Sequence, residues 1–330
     1  MNRVLKNILI ARTDSIGDVI LTLPMCGWIK RYFPNCNISF IGRTYTQAVI
    51  ESSEHVDAFI NWDDVENCAR IDQVRLLRDT GAKTIIHVFP NKTLIRAAKL
   101  ADIPTRIATG RRLQTIFKCN KLVFFSRKNS NLHEAQLNIK LLKPLGIPTV
   151  VGLTDIPDLY GFTNIPPISR VMEEMLKTGK KNIILHPLSK GSGVEWGLEN
   201  FLSLIEISKN DPFHFFISGT KDDGNKIRSF MPVNATNVRD TTGMFILSEL
   251  ISFINAADGL VSASTGPLHI AAACGKQAIG LYTSKRPLHP GRWAPLGKYA
   301  DVLCSLHSPK IGESLDISPA SVRELLLRSQ

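Results

Sequence analysis

Hydrophobic residues occur along this chain as short unbroken runs that alternate with stretches of helical spacing. Four runs with the character of buried strands lie in the first part of the chain, at residues 7–11, 37–42, 58–62 and 84–88. Between the first two, apolar positions recur at helical spacing over residues 18–33, which predicts one helix that Pro34 ends. Strands that alternate with helices predict an α/β fold, with a parallel sheet covered on both faces.

The second part of the chain repeats this pattern after a change of character. Prolines are frequent and periodicity is weak over residues 145–168, which indicates a linker. Beyond it, strands are predicted at residues 182–185, 213–217, 259–263 and 277–282, and helices at 199–209, 221–230, 245–256 and 267–273. We therefore predict two Rossmann-like domains, residues 1–160 and 161–330. Because such sheets bind ligands beyond the carboxyl ends of their strands, site residues are expected in the loops that follow strands.

Charge and composition narrow the class of partner. Lysines and arginines exceed acidic residues by 11, which favours anionic partners such as phosphorylated substrates or an acidic membrane surface. Nucleic acid is not expected, because no RNA-binding signature is present. Neither a 20-residue apolar stretch nor a signal-peptide pattern appears, which predicts a cytoplasmic protein. Six scattered cysteines without a CxxC pair argue against a zinc site.

The loop after the first predicted strand has the sequence RTDSIGDVILTLP, residues 12–24. Asp18 stands near the start of the predicted helix, after Gly17, whose backbone could adopt a conformation closed to other residues. An aspartate at this position caps a helix well, and capping alone would explain it. The alternative is a general base that removes a proton from an acceptor hydroxyl.

A second informative stretch, residues 259–297, reads as strand, small-residue loop, helix and strand. Ser264, Thr265 and Gly266 would present hydroxyls and backbone N–H groups at a helix N-terminus, which suits the diphosphate of a nucleotide. His269 would lie in the first turn of the same helix, where it either binds a phosphate or packs.

These two stretches resemble the motifs of glycosyltransferase family 9, the ADP-heptose:lipopolysaccharide heptosyltransferases. The resemblance implies a GT-B fold, with two Rossmann-like domains facing across a cleft. It implies that residues 1–160 bind the acceptor, that residues 161–330 bind the nucleotide-sugar donor, and that Asp18 is the catalytic base. It also implies inverting transfer of a heptose from ADP-heptose to the inner core of lipopolysaccharide. No DxD motif is present, which fits a metal-independent reaction without a cofactor, although a retaining route stays open.

The resemblance and the charge pattern together nominate two sets of site residues. The acceptor side is predicted to involve the loop residues Arg12, Thr13, Ser15 and Gly17 and the basic residues Arg43, Arg111 and Arg112. The donor side is predicted to involve Ser264, Thr265, Gly266, His269, Lys190, Asp222, Asp223, Thr242 and Gly243.

Three of those donor-side predictions carry alternatives. The family usually shows Lys-x-Trp in the loop before its donor-side helix; Trp196 matches, but Val194 stands in place of the lysine. Lys190 is the hypothetical substitute. Either Asp222 or Asp223 would bind the ribose, and the pattern does not choose between them.

The acceptor is expected to be anionic: lipid A bearing Kdo sugars, or a heptose-extended core. Attachment to the cytoplasmic face of the inner membrane would then be electrostatic and transient, and nothing requires more than a monomer. Three other functions stay open: transfer from another nucleotide sugar, nucleotide-sugar binding without catalysis, and dinucleotide-dependent redox chemistry at Gly191, Gly193 and Gly197.

Overall fold

The apolar runs form two six-stranded parallel sheets, one in each half of the chain. The computed structural model describes residues 5–110, 112–230, 235–307 and 313–328. The chain divides into two units, Met1–Asn164 and Ile165–Gln330. This division lies within the predicted linker, four residues after the boundary placed from sequence. Within the described ranges, no helix is long and apolar enough to cross a membrane.

The sheet of the N-terminal unit has the strand order β3-β2-β1-β4-β5-β6. Its strands are β1 Asn7–Ala11, β2 Asn37–Gly42, β3 Ala58–Asn61, β4 Thr84–His87, β5 Thr105–Thr109 and β6 Lys121–Val123. Its α-helices are α1 Ile16–Ile20, α2 Leu23–Tyr32, α3 Gln47–Glu51, α4 Arg70–Asp79, α5 Lys92–Leu100, α6 Leu113–Ile116 and α7 Glu134–Ile139. Short 3-10 turns lie at Thr44–Thr46, Lys140–Leu145, Leu153–Asp155 and Pro157–Leu159.

The sheet of the C-terminal unit has the order β12-β11-β10-β7-β8-β9. Its strands are β7 Lys181–His186, β8 Phe213–Ile217, β9 Val238–Asp240, β10 Gly259–Ala263, β11 Gln277–Thr283 and β12 Ala300–Ser305. Its helices are α8 Arg170–Leu176, α9 Leu198–Ile207, α10 Lys221–Arg228, α11 Leu247–Ala256, α12 Gly266–Ala273, α13 Pro290–Trp293 and α14 Pro319–Leu327.

In each unit, later strands lie on both sides of the first strand, so the strand order changes direction there. In the N-terminal unit β1 pairs with both β2 and β4, and in the C-terminal unit β7 pairs with both β8 and β10. The loops after β1 and β4, and those after β7 and β10, therefore diverge to opposite faces and leave a crevice where ligands of such sheets bind. Both informative sequence motifs follow strands at these two points.

The predicted helix over residues 18–33 is wrong in one respect, because two helices occupy its place. α1 begins two residues earlier, at Ile16, and the chain turns at Leu21 and Thr22 before α2. Pro24 has no N–H to donate to the carbonyl four residues back, so a continuous helix would lose that bond. At the turn between the two helices, the Thr22 hydroxyl donates to the Asp18 carbonyl at 2.8 Å.

Candidate functional site

Asp18 lies in the first turn of α1, just beyond the carboxyl end of β1. One of its carboxylate oxygens accepts a hydrogen bond from the Arg12 guanidinium, and the other accepts one from the Ser15 hydroxyl at 2.6 Å. Ser15 also caps α1 by accepting from the Asp18 amide at 3.4 Å. The Asp18 side chain is 18% exposed. The carboxylate is therefore fixed at both oxygens and still reachable by a substrate hydroxyl.

Arg12 lies beneath this carboxylate, not on the surface where an acceptor would meet it. Its side chain is 2% exposed, and its Nε donates to Asp14 Oδ1 at 2.6 Å. Burial acts against the charge, but the carboxylates of Asp18 and Asp14 raise the pKa of Arg12 above its ordinary value. The guanidinium thus stays charged and orients the two aspartates.

Asp14 is a second carboxylate at the same point, and sequence reasoning did not single it out. Burial raises its pKa, the nearby Arg12 opposes that rise, and the charge of Asp18 adds to it. A carboxyl group with a raised pKa accepts a proton more readily, which is what a general base requires. Asp14 is therefore an alternative to Asp18 as the base.

A buried ion-pair network supports Arg12 from behind. Glu134, at the start of α7, is fully buried and accepts hydrogen bonds from Arg12, at 3.2 Å, and from Arg127. Asn138, one turn later, accepts from both arginines, at 3.4 and 3.0 Å, and donates to the Leu21 carbonyl at 2.9 Å. Sequence reasoning missed all three residues, because they lie more than 100 positions after the motif that they support.

Three other residues predicted on the acceptor side, Gly17, Arg43 and Thr13, lie near the Asp18 loop but in different environments. Gly17 lies inside α1, in a helical conformation open to any residue, so the special geometry expected for it is not adopted. Arg43 is held by Asp63, at 2.6 Å, and by Glu66, and its Nε donates to the Thr13 carbonyl at 3.4 Å. Thr13 is thereby fixed beside the Asp18 loop.

Two predicted arginines follow β5. The guanidinium of Arg112 stacks over the ring of Phe89, 4.4 Å from its centroid, and Phe89 also lies 5.7 Å from the Arg12 guanidinium. Arg112 is therefore close to the loop after β4, and its side chain is exposed. Arg111 lies outside the described residues.

In the C-terminal unit, the loops after β7 and β10 are joined to one another. The Ser192 hydroxyl donates to the Ser264 carbonyl at 2.8 Å. A Cβ added to Gly193 would lie 3.2 Å from the Ser264 amide nitrogen, so a side chain there would press the loops apart. Thr265 and Ser262 hydroxyls are 2.8 Å apart at the base of the same loop. The start of α12 at Gly266 is thus set in a crevice of small residues.

His269 lies in the first turn of α12 and is only 2% exposed. Trp196, which matches the family motif, is fully buried, donates to the Ile317 carbonyl at 2.8 Å and packs edge-on against Phe201. Val194 packs against the same hydrophobic core. The matched tryptophan therefore anchors the loop and does not face a ligand.

Lys190 stands at the turn of this loop, with a left-handed backbone at φ +50°. This conformation costs a residue with a side chain about 1 kcal/mol or more, and it recurs at functional sites. Its ammonium is 61% exposed and lies 3.9 Å from an oxygen of Asp223. Asp223 itself caps α10, accepting from the Thr220 amide and hydroxyl at 2.8 and 2.7 Å. Asp222 is exposed beside it, so of the two aspartates only Asp223 is engaged in helix capping.

Thr242 and Gly243 follow β9 and lie close to the start of α10. The Thr242 hydroxyl donates to Asp240 at 2.7 Å and accepts from Arg228 at 3.0 Å. Gly243, at φ +72°, donates its amide to the Gly219 carbonyl at 2.9 Å. The loops after β8 and β9 are thereby tied together, beside the loop that carries Lys190.

His186 ends β7 at the centre of this crevice. Burial lowers its pKa to about 4, and its Nδ1 is 2.9 Å from the Ser218 hydroxyl. It is therefore neutral at physiological pH and acts as a hydrogen-bonding group without charge. No cluster of three or more His, Cys, Asp or Glu side chains suited to a metal ion occurs within the described part of the chain.

Comparison with known proteins gives consistent matches. Residues 163–315 match the model of glycosyltransferase family 9 (heptosyltransferase). A relative from Haemophilus influenzae, named only provisionally as a glycosyltransferase, is 25% identical over 305 residues, covering 88% of this chain and 86% of that protein.

Two solved structures have a similar fold over nearly their whole length. One is a family 9 glycosyltransferase from Veillonella parvula, with a TM-score of 0.78, 21% identity and coverage of 99% of both chains. The other is ADP-heptose LPS heptosyltransferase II of E. coli, with a TM-score of 0.71, 17% identity and coverage of 97% of both chains. The predicted GT-B class, with two Rossmann-like units in tandem, is confirmed. The resemblance to the family is confirmed as well: residues 163–315 match glycosyltransferase family 9 (heptosyltransferase), and the chain is a glycosyltransferase.

Proposed function

We propose that this enzyme transfers a heptose from ADP-heptose to the inner core of lipopolysaccharide, on Kdo-bearing lipid A or on a heptosyl acceptor. The donor and acceptor are those named for the E. coli protein of similar fold, an ADP-heptose LPS heptosyltransferase. The matched family domain falls in the C-terminal unit, which fits donor binding there. An anionic acceptor fits the excess of basic residues.

The observation that carries the proposal is the fixed carboxylate of Asp18. The acceptor hydroxyl oxygen attacks the anomeric carbon while its proton passes to this carboxylate. The bond from the anomeric carbon to the diphosphate oxygen breaks, ADP leaves with the electron pair, and the configuration inverts. Arg12 and Ser15 hold the carboxylate in place for that single step.

The leaving group is proposed to bind the crevice of the C-terminal unit. The helix N-terminus at Thr265 and Gly266 favours negative charge, and Lys190 adds a cation to the same edge. Preorganised donors of this kind contribute about 3 kcal/mol each to catalysis. As proposed, the reaction uses no metal and no cofactor beyond the donor sugar.

An assay of heptose transfer from ADP-heptose to a Kdo-bearing acceptor, monitored by the release of ADP, tests the proposal. Asp18→Asn keeps the size of the side chain and removes the base, so turnover should fall about 10³-fold while ADP binding by calorimetry is unchanged. Asp14→Asn is the matched control, because it changes a second carboxylate on the same arginine and should cost much less.

Three results would count against the proposal. A larger loss in Asp14→Asn than in Asp18→Asn would move the base to Asp14. Preference for UDP or GDP sugars would discard heptose. Tight ADP-heptose binding without transfer to any acceptor would indicate a binding protein.

A further inference from the structure

The positive charge of the chain is concentrated in one segment of the N-terminal unit. Residues 103–154 contain nine lysines and arginines and a single acidic residue, Glu134. This segment therefore holds eight of the eleven net positive charges of the whole sequence. Glu134 is fully buried between Arg12 and Arg127, so it does not offset the basic residues at the surface.

Part of this segment forms one continuous surface at the edge of the sheet, around β6. A cavity of about 620 Å³ opens there, lined by Lys121, Lys140, Lys143, Phe124, Phe125 and Thr149 among others, and its lining contains no acidic residue. Across the described residues, no carboxylate lies within ion-pair distance of these three lysines. Their charges are available to an external anion.

Large apolar side chains stand exposed on the same segment. Leu113 is 76% exposed, Phe117 73% and Phe124 72%. The Phe124 ring lies against Gly110, where any side chain would collide with it, and Gly110 immediately precedes the loop into α6. We refer to Lys121, Phe124, Lys140 and Lys143, which line this cavity, as the β6 edge surface.

Lysines at an edge strand ordinarily prevent pairing with another sheet. That purpose does not account for the aromatic residues, since exposed phenylalanines beside an open strand favour association. Aromatic and basic side chains together are typical of proteins that rest in the interface of an anionic bilayer, where rings enter the headgroup region and lysines meet phosphates. Charge complementarity selects an anionic partner, and a ring exposed among unpaired lysines favours the headgroup region of anionic lipid.

We propose that the β6 edge surface binds the surface of an anionic phospholipid bilayer. Lys121, Lys140 and Lys143 contact headgroup phosphates, and Phe124 inserts at the level of the headgroups. The inference rests on the proposed function in one respect, because a lipid-linked acceptor gives the contact its purpose. Binding itself requires neither donor nor acceptor, so the two proposals fail independently.

Sedimentation of the full chain with lipid vesicles tests the proposal. Vesicles of phosphatidylcholine are compared with vesicles of equal parts phosphatidylcholine and phosphatidylglycerol. The wild-type protein should bind only the second kind, and salt should weaken binding. Lys121→Glu with Lys143→Glu should reduce partitioning about tenfold or more. Phe124→Ser should also reduce it about fivefold, including at a salt concentration that leaves residual wild-type binding.

The matched control is Lys209→Glu with Lys226→Glu, which makes the same change in net charge at exposed sites of the C-terminal unit. It should retain most vesicle binding. Thermal unfolding verifies that each variant is folded, and transfer to a soluble, lipid-free acceptor fragment should be unchanged in all of them.

Equal wild-type binding to neutral and anionic vesicles would overturn the proposal, as would an equal loss in the control pair. Binding to a duplex oligonucleotide that depends on the same lysines but not on Phe124, without binding to vesicles, would replace it with general polyanion binding.

Discussion

The two units place very different chemistry at equivalent points of their sheets. Beyond β1, charged side chains are buried together: Arg12 and Glu134 are almost inaccessible, and each pairs with more than one ion of opposite charge. Beyond β7 and β10, the crevice is built from hydroxyls, glycines and backbone groups, and the histidine at the end of β7, His186, is neutral.

This difference fits the role proposed for each site. A general base needs one carboxylate in one orientation, and a network of largely buried ion pairs supplies it at a cost in desolvation. A diphosphate carries its own charge and needs backbone N–H groups at close range, which small residues permit. The N-terminal site should therefore be sensitive to loss of charge balance, and the C-terminal site to added bulk.

The largest effect is expected from Glu134→Ala. Without this carboxylate, Arg12 and Arg127 lose the fully buried ion-pair partner that they share, and breaking such a buried pair costs about 3–5 kcal/mol of unfolding free energy. Urea unfolding measures the loss. Glu174→Ala, which removes an exposed carboxylate paired with Lys177, serves as the control and should cost well under 1 kcal/mol. If both variants unfolded alike, the network would have no structural role.

Acid should weaken the C-terminal unit through His186. The pKa of this residue is lowered to about 4 in the folded protein, against about 6.5 when unfolded. Between these values the unfolded chain binds the proton and the folded chain does not, so the unfolding free energy falls as the pH drops from 6.5 towards 4. A decline on the order of 1–3 kcal/mol is expected by urea unfolding at the two pH values.

His186→Asn should make that dependence shallower, because the amide does not titrate. His87 is a matched group in the other unit, since burial lowers its pKa to about 3. His87→Asn should likewise flatten the curve. A decline as steep in both variants as in the wild type would assign it to other groups.

Gly193→Val tests sensitivity to bulk. Its Cβ would approach the Ser264 amide at about the 3.2 Å measured for an ideal Cβ, and the branches would spread the loops after β7 and β10. ADP should bind about tenfold more weakly by calorimetry. Ser192→Ala breaks the 2.8 Å link between the same loops without adding volume, and should weaken binding less. A larger loss of affinity in Ser192→Ala than in Gly193→Val would mean that the hydrogen bond between the loops, and not their close approach at Gly193, shapes the crevice.

Lys190→Ala is expected to have the smallest effect. The Lys190 side chain is largely exposed, so water and salt partly screen its attraction for a phosphate, and ADP affinity should fall about three- to fivefold. Lys209→Ala removes an exposed lysine elsewhere in the same unit and should leave the affinity unchanged. Equal affinity for both variants would show that Lys190 does not replace the lysine absent at Val194.

The bounds of strands were predicted best where a local run of apolar residues is also buried in the structure. β1, β2 and β10 have the bounds predicted from their apolar runs. Outer strands such as β6 and β9 were not predicted, because three residues that alternate with polar positions gain their order from the neighbouring strand. The break between α1 and α2 was missed because hydrophobic spacing continues through Pro24.

The site residues divide in the same way, into those with a local sequence signature and those without one. Motifs identified Asp18 and the loop at Thr265, since helix N-termini after strands have local signatures. Glu134 and Arg127 have none, because their role depends on a fold that brings α7 beneath β1. One sign was present: Glu134 is the single acidic residue in a basic segment of 52 residues, which is unusual for a surface position.

The anchoring of Trp196 has a consequence for reading mutant collections. The indole donates to the Ile317 carbonyl, the Leu315 amide donates to the Glu195 carbonyl at 3.0 Å, and the Ser314 hydroxyl donates to Glu199 at 3.0 Å. A distant stretch of chain thus fastens the loop that carries Lys190. If this loop binds the nucleotide as proposed, substitutions at residues 314–317 would score in a genetic screen as defects in nucleotide recognition.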